Sequence, residues 1–237
     1  MANDYFQFRH FTIYQGRCAM KVGTDGTLLG AWARGGQTVL DIGTGTGLIA
    51  LMMAQRFPEA QVVGVDVDPK AVAQARENVA ASPFASRIQL LNADIRTHHH
   101  SPFTLHHSPF TTIVSNPPYF VDSLACPDGQ RTLARHTASL SYRELMQAVC
   151  RLLADDGEFS VIIPFDCKAR MEDEAALAGL FKVRECAVKT TPRKQPRRYL
   201  MAFRKHPAEL ELTEGVIETS PNVRSSWYQE LTKDFYL

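Results

Sequence analysis

A strand followed by a glycine-rich turn, in residues 39–47, constrains the fold more than any other part of this sequence. Val39 to Ile42 is a mostly apolar run that predicts a buried strand. Behind it, Gly43, Gly45 and Gly47 stand at alternate positions, and glycine lets the backbone turn sharply and approach a ligand closely. The spacing Gly-x-Gly-x-Gly differs from the dinucleotide pattern Gly-x-Gly-x-x-Gly, so the turn by itself leaves the ligand open.

The residues after the turn continue an α/β pattern. A nearly all-apolar helix is predicted from Leu48 to about Arg56, and a second strand from Gln61 to Val65 ends at Asp66. Asp66 lies 19 residues beyond Gly47, which is the interval at which doubly wound folds place a carboxylate on a ribose. The alternative for Asp66 is an acid at the start of the next helix.

A second informative feature is Asn116-Pro117-Pro118-Tyr119, which follows the predicted strand from Thr112 to Ser115. Two prolines fix φ, remove two backbone donors and hold Asn116 extended. The loop therefore offers the Asn116 amide oxygen, the Pro117 carbonyl and the flat ring of Tyr119. These groups suit a planar amine, with two acceptors for its N–H bonds and a face for stacking, although an ordinary proline-rich turn is the alternative.

A third strand is predicted from Arg87 to Leu91, and Asp94 follows it. With the glycine turn, the ribose-type acid and the Asn-Pro-Pro-Tyr loop, this arrangement resembles class I S-adenosylmethionine-dependent methyltransferases that act on amino groups. The block from Cys18 to Trp32 and the carboxyl end, Phe235-Tyr236-Leu237, narrow the resemblance to the bacterial tRNA1(Val) adenine-37 N6-methyltransferases. It covers almost the whole chain.

This resemblance implies a Rossmann-like fold with a mainly parallel seven-stranded sheet and an antiparallel edge strand, in a single domain of residues 1–237. Residues 1–36 would be an extension lining the cosubstrate and target, and residues 97–111 an insertion in which His-Ser-Pro-Phe-Thr occurs twice. We interpret the insertion as a duplicated surface loop; a metal site is the alternative. The remaining predicted elements are helices 68–79, 142–153, 168–180 and 225–236 and strands 159–163, 181–188 and 199–203.

The cosubstrate that the resemblance implies is S-adenosylmethionine. The glycines would lie against its methionine part, Asp66 would accept from the ribose hydroxyls, and Asp94 from the adenine amino group, unless Asp94 is only a turn residue. Asp41 would hold the ammonium or, equally, support the loop. The expected cosubstrate-binding residues are Lys21, Thr24, Asp41, Gly43, Gly45, Gly47, Asp66, Asp94 and Asn116, and the expected catalytic residues are Asn116, Pro117 and Tyr119.

Basic residues indicate where RNA would bind. The formal net charge is only +1, so an RNA site must be a local patch. One cluster falls between the last two predicted strands, in a turn expected far from the glycine turn, and two arginines follow the Asn-Pro-Pro-Tyr loop. A solvated hairpin tip is the alternative. The expected RNA-binding residues are Arg131, Arg135, Lys189, Arg193, Lys194, Arg197 and Arg198.

The function expected from these features is methylation of the N6 amino group of adenosine 37 in a tRNA anticodon loop. The same catalytic loop would also serve a protein glutamine, or a guanine, cytosine or adenine of rRNA or DNA, and a non-catalytic RNA-binding module is a less favoured alternative. Five cysteines without close spacing predict reduced thiols and no metal. Without a signal peptide or an apolar run of membrane-crossing length, we expect a cytoplasmic protein, and a monomer.

Overall fold

The computed structural model describes residues 4–18, 21–97, 109–118 and 140–237. The strands in these residues are β1 (Tyr5–Gln7), β2 (Thr12–Tyr14), β3 (Thr38–Ile42), β4 (Gln61–Asp66), β5 (Ile88–Asn92), β6 (Phe110–Ser115), β7 (Leu153–Pro164), β8 (Phe181–Lys189), β9 (Arg198–Arg204), β10 (Glu211–Val216), β11 (Glu218–Ser220) and β12 (Val223–Arg224). The helices are α1 (Thr24–Trp32), α2 (Leu48–Arg56), α3 (Pro69–Ala80), α4 (Tyr142–Leu152), α5 (Lys168–Leu177) and α6 (Ser226–Thr232).

One sheet organises these elements, with strand order β10-β8-β9-β7-β6-β3-β4-β5. All neighbouring pairs are parallel except those that β9 makes with β7 and β8. The predicted class, a mainly parallel α/β sheet with an antiparallel strand, is confirmed. The sheet has eight strands rather than seven, because β10 pairs with β8, so β9 lies inside the sheet and not at its edge. Four of the six β10 residues are exposed in a row, which hides the strand from pattern analysis.

Local chemistry explains several helix boundaries. The Asp68 carboxylate accepts from the Lys70 amide and Pro69 occupies the first turn of α3, as predicted. Ser141 and Glu144 form a capping box that starts α4. Helix α5 ends earlier than expected, because Gly179 adopts φ +77° just behind it.

The helices and the short β1–β2 hairpin form two apolar layers around the sheet. Helices α1, α2 and α3 pack on one side with the aromatic residues of both terminal segments, among them Phe8, Phe11 and Phe235. Helices α4 and α5 pack on the other side through residues such as Leu145 and Met171. Both faces of the central strands are therefore covered, and the carboxyl edge of the sheet stays available for a site.

Candidate active site

The predicted polar residues meet at the carboxyl edge of the parallel strands. A cavity of about 240 Å³ lies there, between the ends of β3, β4, β5 and β6. It is bordered by the glycine turn, by the two acids that follow β4 and β5, and by the start of the Asn-Pro-Pro-Tyr loop. The predicted residues that line it are Gly43, Gly45, Asp66, Asp94, Asn116 and Pro117.

The glycine turn owes its shape to left-handed backbone angles. Gly43 has φ +74° and Gly45 has φ +53°, conformations that residues with a Cβ rarely adopt. The amides of Gly43 and Thr44 donate to the Val65 carbonyl, at 2.9 and 3.0 Å, which ties the turn to β4. A Cβ on Gly43 would meet no atom within 4 Å, so the space beside this residue is open to a ligand.

Asp66 is held by two backbone amides. Its Oδ2 accepts from the Gly45 amide at 2.9 Å, and its Oδ1 accepts from the Asp68 amide at 3.0 Å. A carboxylate oxygen offers two lone pairs, so each oxygen keeps one for a further donor. The half-buried carboxylate is thus fixed in place and remains able to accept from a pair of hydroxyl groups.

Asp94 lies in the cavity wall as predicted, but its carboxylate forms an ion pair with Arg96, which was not predicted from the sequence. The Arg96 Nε donates to both Asp94 oxygens at 2.9 Å, and Nη2 lies 2.6 Å from Oδ2. Arg96 also approaches Glu144 at 3.5 Å and lines the same cavity. Its hydrogen bonds with Asp94 raise the Arg96 pKa. An adenine amino group would therefore share the Asp94 carboxylate with Arg96. The Asp-x-Arg spacing after a strand is the sequence feature from which this pair could have been predicted.

Asp41 corrects one expectation. Its side chain has 0% exposure, accepts from Thr44 Oγ1 at 2.7 Å and from the Ala50 amide at 3.2 Å, and does not line the cavity. Burial raises the pKa of Asp41 to about 7. A group this enclosed cannot reach the ammonium of a ligand, so Asp41 supports the glycine turn and the first turn of α2 from beneath.

A second cavity, of about 300 Å³, adjoins the first. Lys21 and Thr24, both predicted from the amino-terminal block, line it together with Gly43 and Arg198. The Arg198 Nε forms an ion pair with Asp25 Oδ1 at 2.7 Å, which links the start of β9 to the first turn of α1. Arg198 therefore faces the active-site edge, whereas the whole basic turn was expected far from the glycine turn.

Asn116 occupies the boundary between these two cavities. It lines both of them, as Gly43 and Gly45 do. The strand before it is fixed by Ser115, whose Oγ donates to the Ile42 carbonyl at 2.9 Å. An amine held by Asn116 would thus face a ligand in the first cavity while its carrier extended into the second. Tyr119, Arg131 and Arg135 lie outside the described residues, as do positions 98–108 of the predicted insertion.

Known proteins with similar sequences are methyltransferases. A family model described as a methyltransferase domain matches residues 39–157, from β3 into β7. The tRNA1(Val) (adenine(37)-N6)-methyltransferase of Bacteroides thetaiotaomicron is 46% identical over 240 residues, covering 100% of this chain and 99% of its own. This chain belongs to the tRNA1(Val) (adenine(37)-N6)-methyltransferase family. The member from Phocaeicola vulgatus is 49% identical over 239 residues, with the same coverage.

The three-dimensional comparison supports the fold of this methyltransferase family member. A crystal structure described as a predicted O-methyltransferase from Agrobacterium tumefaciens matches with a TM-score of 0.66. It covers 89% of this chain and 96% of its own chain, at 18% sequence identity. At that identity the match shows the fold alone.

The basic turn of this methyltransferase divides into paired and exposed cations. Lys189 Nζ lies 2.8 Å from Glu214 Oε2, and Arg198 is paired with Asp25. Arg193, Lys194 and Arg197 are exposed. Phosphate contacts from this turn are therefore best expected of the three exposed residues.

The described residues contain neither a metal-binding group nor a membrane-spanning helix. Among residues 4–18, 21–97, 109–118 and 140–237, no three His, Cys, Asp or Glu side chains form a group that could hold a metal ion. No helix in those ranges has the length and apolar character needed to cross a membrane.

Proposed function

We propose that this protein transfers a methyl group from S-adenosylmethionine to the exocyclic N6 nitrogen of adenosine 37 in the anticodon loop of a tRNA. The observation that carries the proposal is the position of Asn116, which lines both the cavity suited to the cosubstrate and the adjoining one. The choice of target is supported by the full-length identity of 46% and 49% with two tRNA1(Val) (adenine(37)-N6)-methyltransferases.

The residues of the first cavity fit S-adenosylmethionine. The carboxylate of Asp66 keeps acceptor capacity for the two ribose hydroxyls, and the open side of Gly43 leaves room against the backbone. Asp94 and Arg96 offer polar contacts where the adenine would end. When bound, S-adenosylmethionine supplies an electrophilic methyl group for in-line transfer.

The chain itself contributes positioning. The lone pair of the adenine amino nitrogen is delocalised into the ring, so the nitrogen is a poor nucleophile. The Asn116 side-chain oxygen and the Pro117 carbonyl would each accept a hydrogen bond from one of its two N–H groups. These hydrogen bonds would direct the nitrogen lone pair out of the ring plane. No strong base is needed beforehand, because the nitrogen becomes acidic only as the new N–C bond replaces the sulfur–methyl bond of the cosubstrate, and the surplus amino proton then leaves to solvent. Catalysis is then mostly orientation and electrostatic stabilisation.

The target must be unstacked to enter. A base in a single-stranded loop reaches such a pocket at less cost than a paired base, which must be flipped out. We propose that Tyr119 stacks on the base and that the exposed cations of the basic turn, with Arg131 and Arg135, bind phosphates. We also propose that the protein acts as a cytoplasmic monomer in one domain, with residues 97–111 as an insertion loop.

One experiment tests the reaction and the target together. The purified protein is incubated with methyl-labelled S-adenosylmethionine and a transcript of tRNA1(Val), and the nucleosides are analysed by mass. We expect N6-methyladenosine in the wild-type transcript and none when adenosine 37 is changed to guanosine. Label in another base, or in protein glutamine when a cell extract is the substrate, would replace this target with one of the alternatives.

A further inference from the structure

A third cavity, of about 650 Å³, lies where the two terminal segments of the chain meet. We call it the terminal groove. Its walls come from the β1–β2 hairpin, the first turn of α1, and helix α6 with the residues after it. The residues on which the inference depends are Phe6, Arg9, Thr24, Arg224, Lys233 and Tyr236.

Aromatic packing holds the walls of the terminal groove in place. The ring of Tyr236 stacks on Phe8 with centroids 5.9 Å apart, and its hydroxyl lies 2.9 Å from that of Tyr228. The Arg9 amide donates to the Phe235 carbonyl at 2.8 Å, which joins the amino-terminal segment to the carboxyl-terminal one. These contacts fix the shape of the groove, and Tyr236 and Leu237 at the carboxyl end line it.

The chemistry of the terminal groove suits a polyanion with flat bases. Three cations, Arg9, Arg224 and Lys233, line it, and within the described part of the chain no Asp or Glu side chain does. Arg224 lies over the Tyr228 ring at 4.9 Å and pairs with Glu218, while Lys233 pairs with Glu230. Arg9 is exposed and makes no side-chain hydrogen bond or ion pair with any described residue, so its guanidinium is available for a phosphate.

The terminal groove adjoins the second cavity of the active site. Gly23 and Thr24 line both the groove and the second cavity, which Asn116 also borders. A strand whose target base enters the second cavity would thus reach the groove with its next nucleotide. The volume of the groove, about 650 Å³, exceeds the volume of about 240 Å³ of the cavity expected to hold the adenosine part of the cosubstrate.

We propose that the terminal groove binds the nucleotide next to the target adenosine in the RNA strand, with Arg9 on its phosphate and the aromatic wall beside its base. This inference rests on the proposed function, because it takes a single-stranded RNA as the substrate. It assigns a binding role to terminal segments that would otherwise only pack against α1.

Steady-state kinetics with charge variants tests the role of Arg9. Arg9→Ala and Arg9→Glu are compared with Lys205→Ala and Lys205→Glu, which change charge by the same amounts at a distant position. Lys205 follows β9 at the edge of the sheet opposite to Arg198, where its Nζ lies 3.2 Å from Asp155 Oδ1. We expect Arg9→Ala to raise the KM for tRNA roughly three- to tenfold and Arg9→Glu to raise it further, because the charge-assisted hydrogen bond to the phosphate no longer forms. The kcat and the S-adenosylmethionine affinity stay unchanged, and so does every parameter of the controls.

The salt dependence gives a second readout. If Arg9 neutralises one phosphate of a single strand, its removal lowers the log–log salt slope of RNA binding by about 0.7. A KM and a salt slope equal to those of the Lys205 controls would overturn the assignment of Arg9.

Photo-crosslinking tests the groove without depending on methyl transfer. A tRNA with 4-thiouridine on the 5′ or the 3′ side of the target is irradiated with the protein, and the crosslinked peptides are sequenced. We expect crosslinks within residues 4–9 or 224–237; crosslinks confined to other segments would overturn the proposal. If the wild type methylates adenosine 37 but these tests fail, only the groove assignment falls. If no adenosine is methylated, the proposed function falls, and crosslinking still decides what the groove binds.

Discussion

Changing Asp66 to Asn should weaken cosubstrate binding while keeping the shape of the side chain. Each Asp66 oxygen already accepts one backbone amide, from Gly45 or Asp68, and keeps one lone pair for a ribose hydroxyl. A hydrogen bond to a charged group contributes about 1.5–3 kcal/mol. Loss of the charge therefore corresponds to roughly 10–150-fold weaker binding of S-adenosylmethionine.

The difficulty is that Asp66 also holds the glycine turn, so weaker binding alone would not prove contact with the ribose. A double-mutant cycle separates the two effects. Wild type and Asp66→Asn are titrated by calorimetry with S-adenosylhomocysteine and with its 2′,3′-dideoxy analogue. If Asp66 binds the hydroxyls, the substitution weakens the parent ligand by the factor above and has much less effect on the analogue.

A purely structural role of Asp66 predicts a different result. If Asp66 only holds the turn, the substitution weakens both ligands by the same factor and the coupling free energy is near zero. That result would refute the assignment of the carboxylate to the ribose, although the turn geometry would stand.

Three further predictions follow from the site. Asn116→Ala should lower methyl transfer at least about a hundredfold in single-turnover assays with little change in S-adenosylmethionine affinity by calorimetry; near-normal turnover would exclude the proposed role. Burial raises the Asp41 pKa to about 7, so the wild type loses stability as pH rises from the unfolded pKa towards 7, by about 1.4 kcal/mol per pH unit. Urea unfolding should show Asp41→Asn gaining about 2 kcal/mol relative to wild type between pH 5 and 7, because the slope flattens as the carboxyl reaches its own pKa, and a constant difference would contradict the buried carboxyl. Replacing Arg193, Lys194 and Arg197 with Ala should lower the salt slope of RNA binding by roughly 0.7 for each phosphate that is no longer neutralised, and parallel binding curves would indicate a solvated turn.

The parts of the site that the sequence predicted are those that short-range rules determine. The strand, glycine turn, helix and acid from Val39 to Asp66 depend on local periodicity and on φ angles that glycine adopts easily. Helix α2 accordingly has the predicted bounds, Leu48–Arg56. Because parallel strands end at the same edge of a sheet, the acids after β4 and β5 and Asn116 after β6 had to meet there.

Features that depend on long-range packing were not predictable in the same way. Whether Asp41 reaches the ligand depends on how α2 covers it, and the sequence shows only an acid at the end of a strand. Arg96 becomes part of the site because the chain turns back at Asp94, which pairs the two side chains. Strand β10 shows no alternation of apolar and polar residues, since its backbone pairs with β8 while most of its side chains stay in solvent.

The antiparallel direction of strand β9 brings the basic turn closer to the active site than its distance along the chain suggests. Because β9 runs against β7, Arg198 at its start is the register partner of Pro164 at the end of β7. The turn between β8 and β9 therefore opens at the carboxyl edge of the parallel strands, on the side of Asn116, although it is distant from the glycine turn along the chain. Arg198 is used within the site, in its ion pair with Asp25. The exposed cations of the same turn therefore lie at the edge of the sheet where Asn116 lies, which is the position that our proposal of phosphate binding by this turn requires.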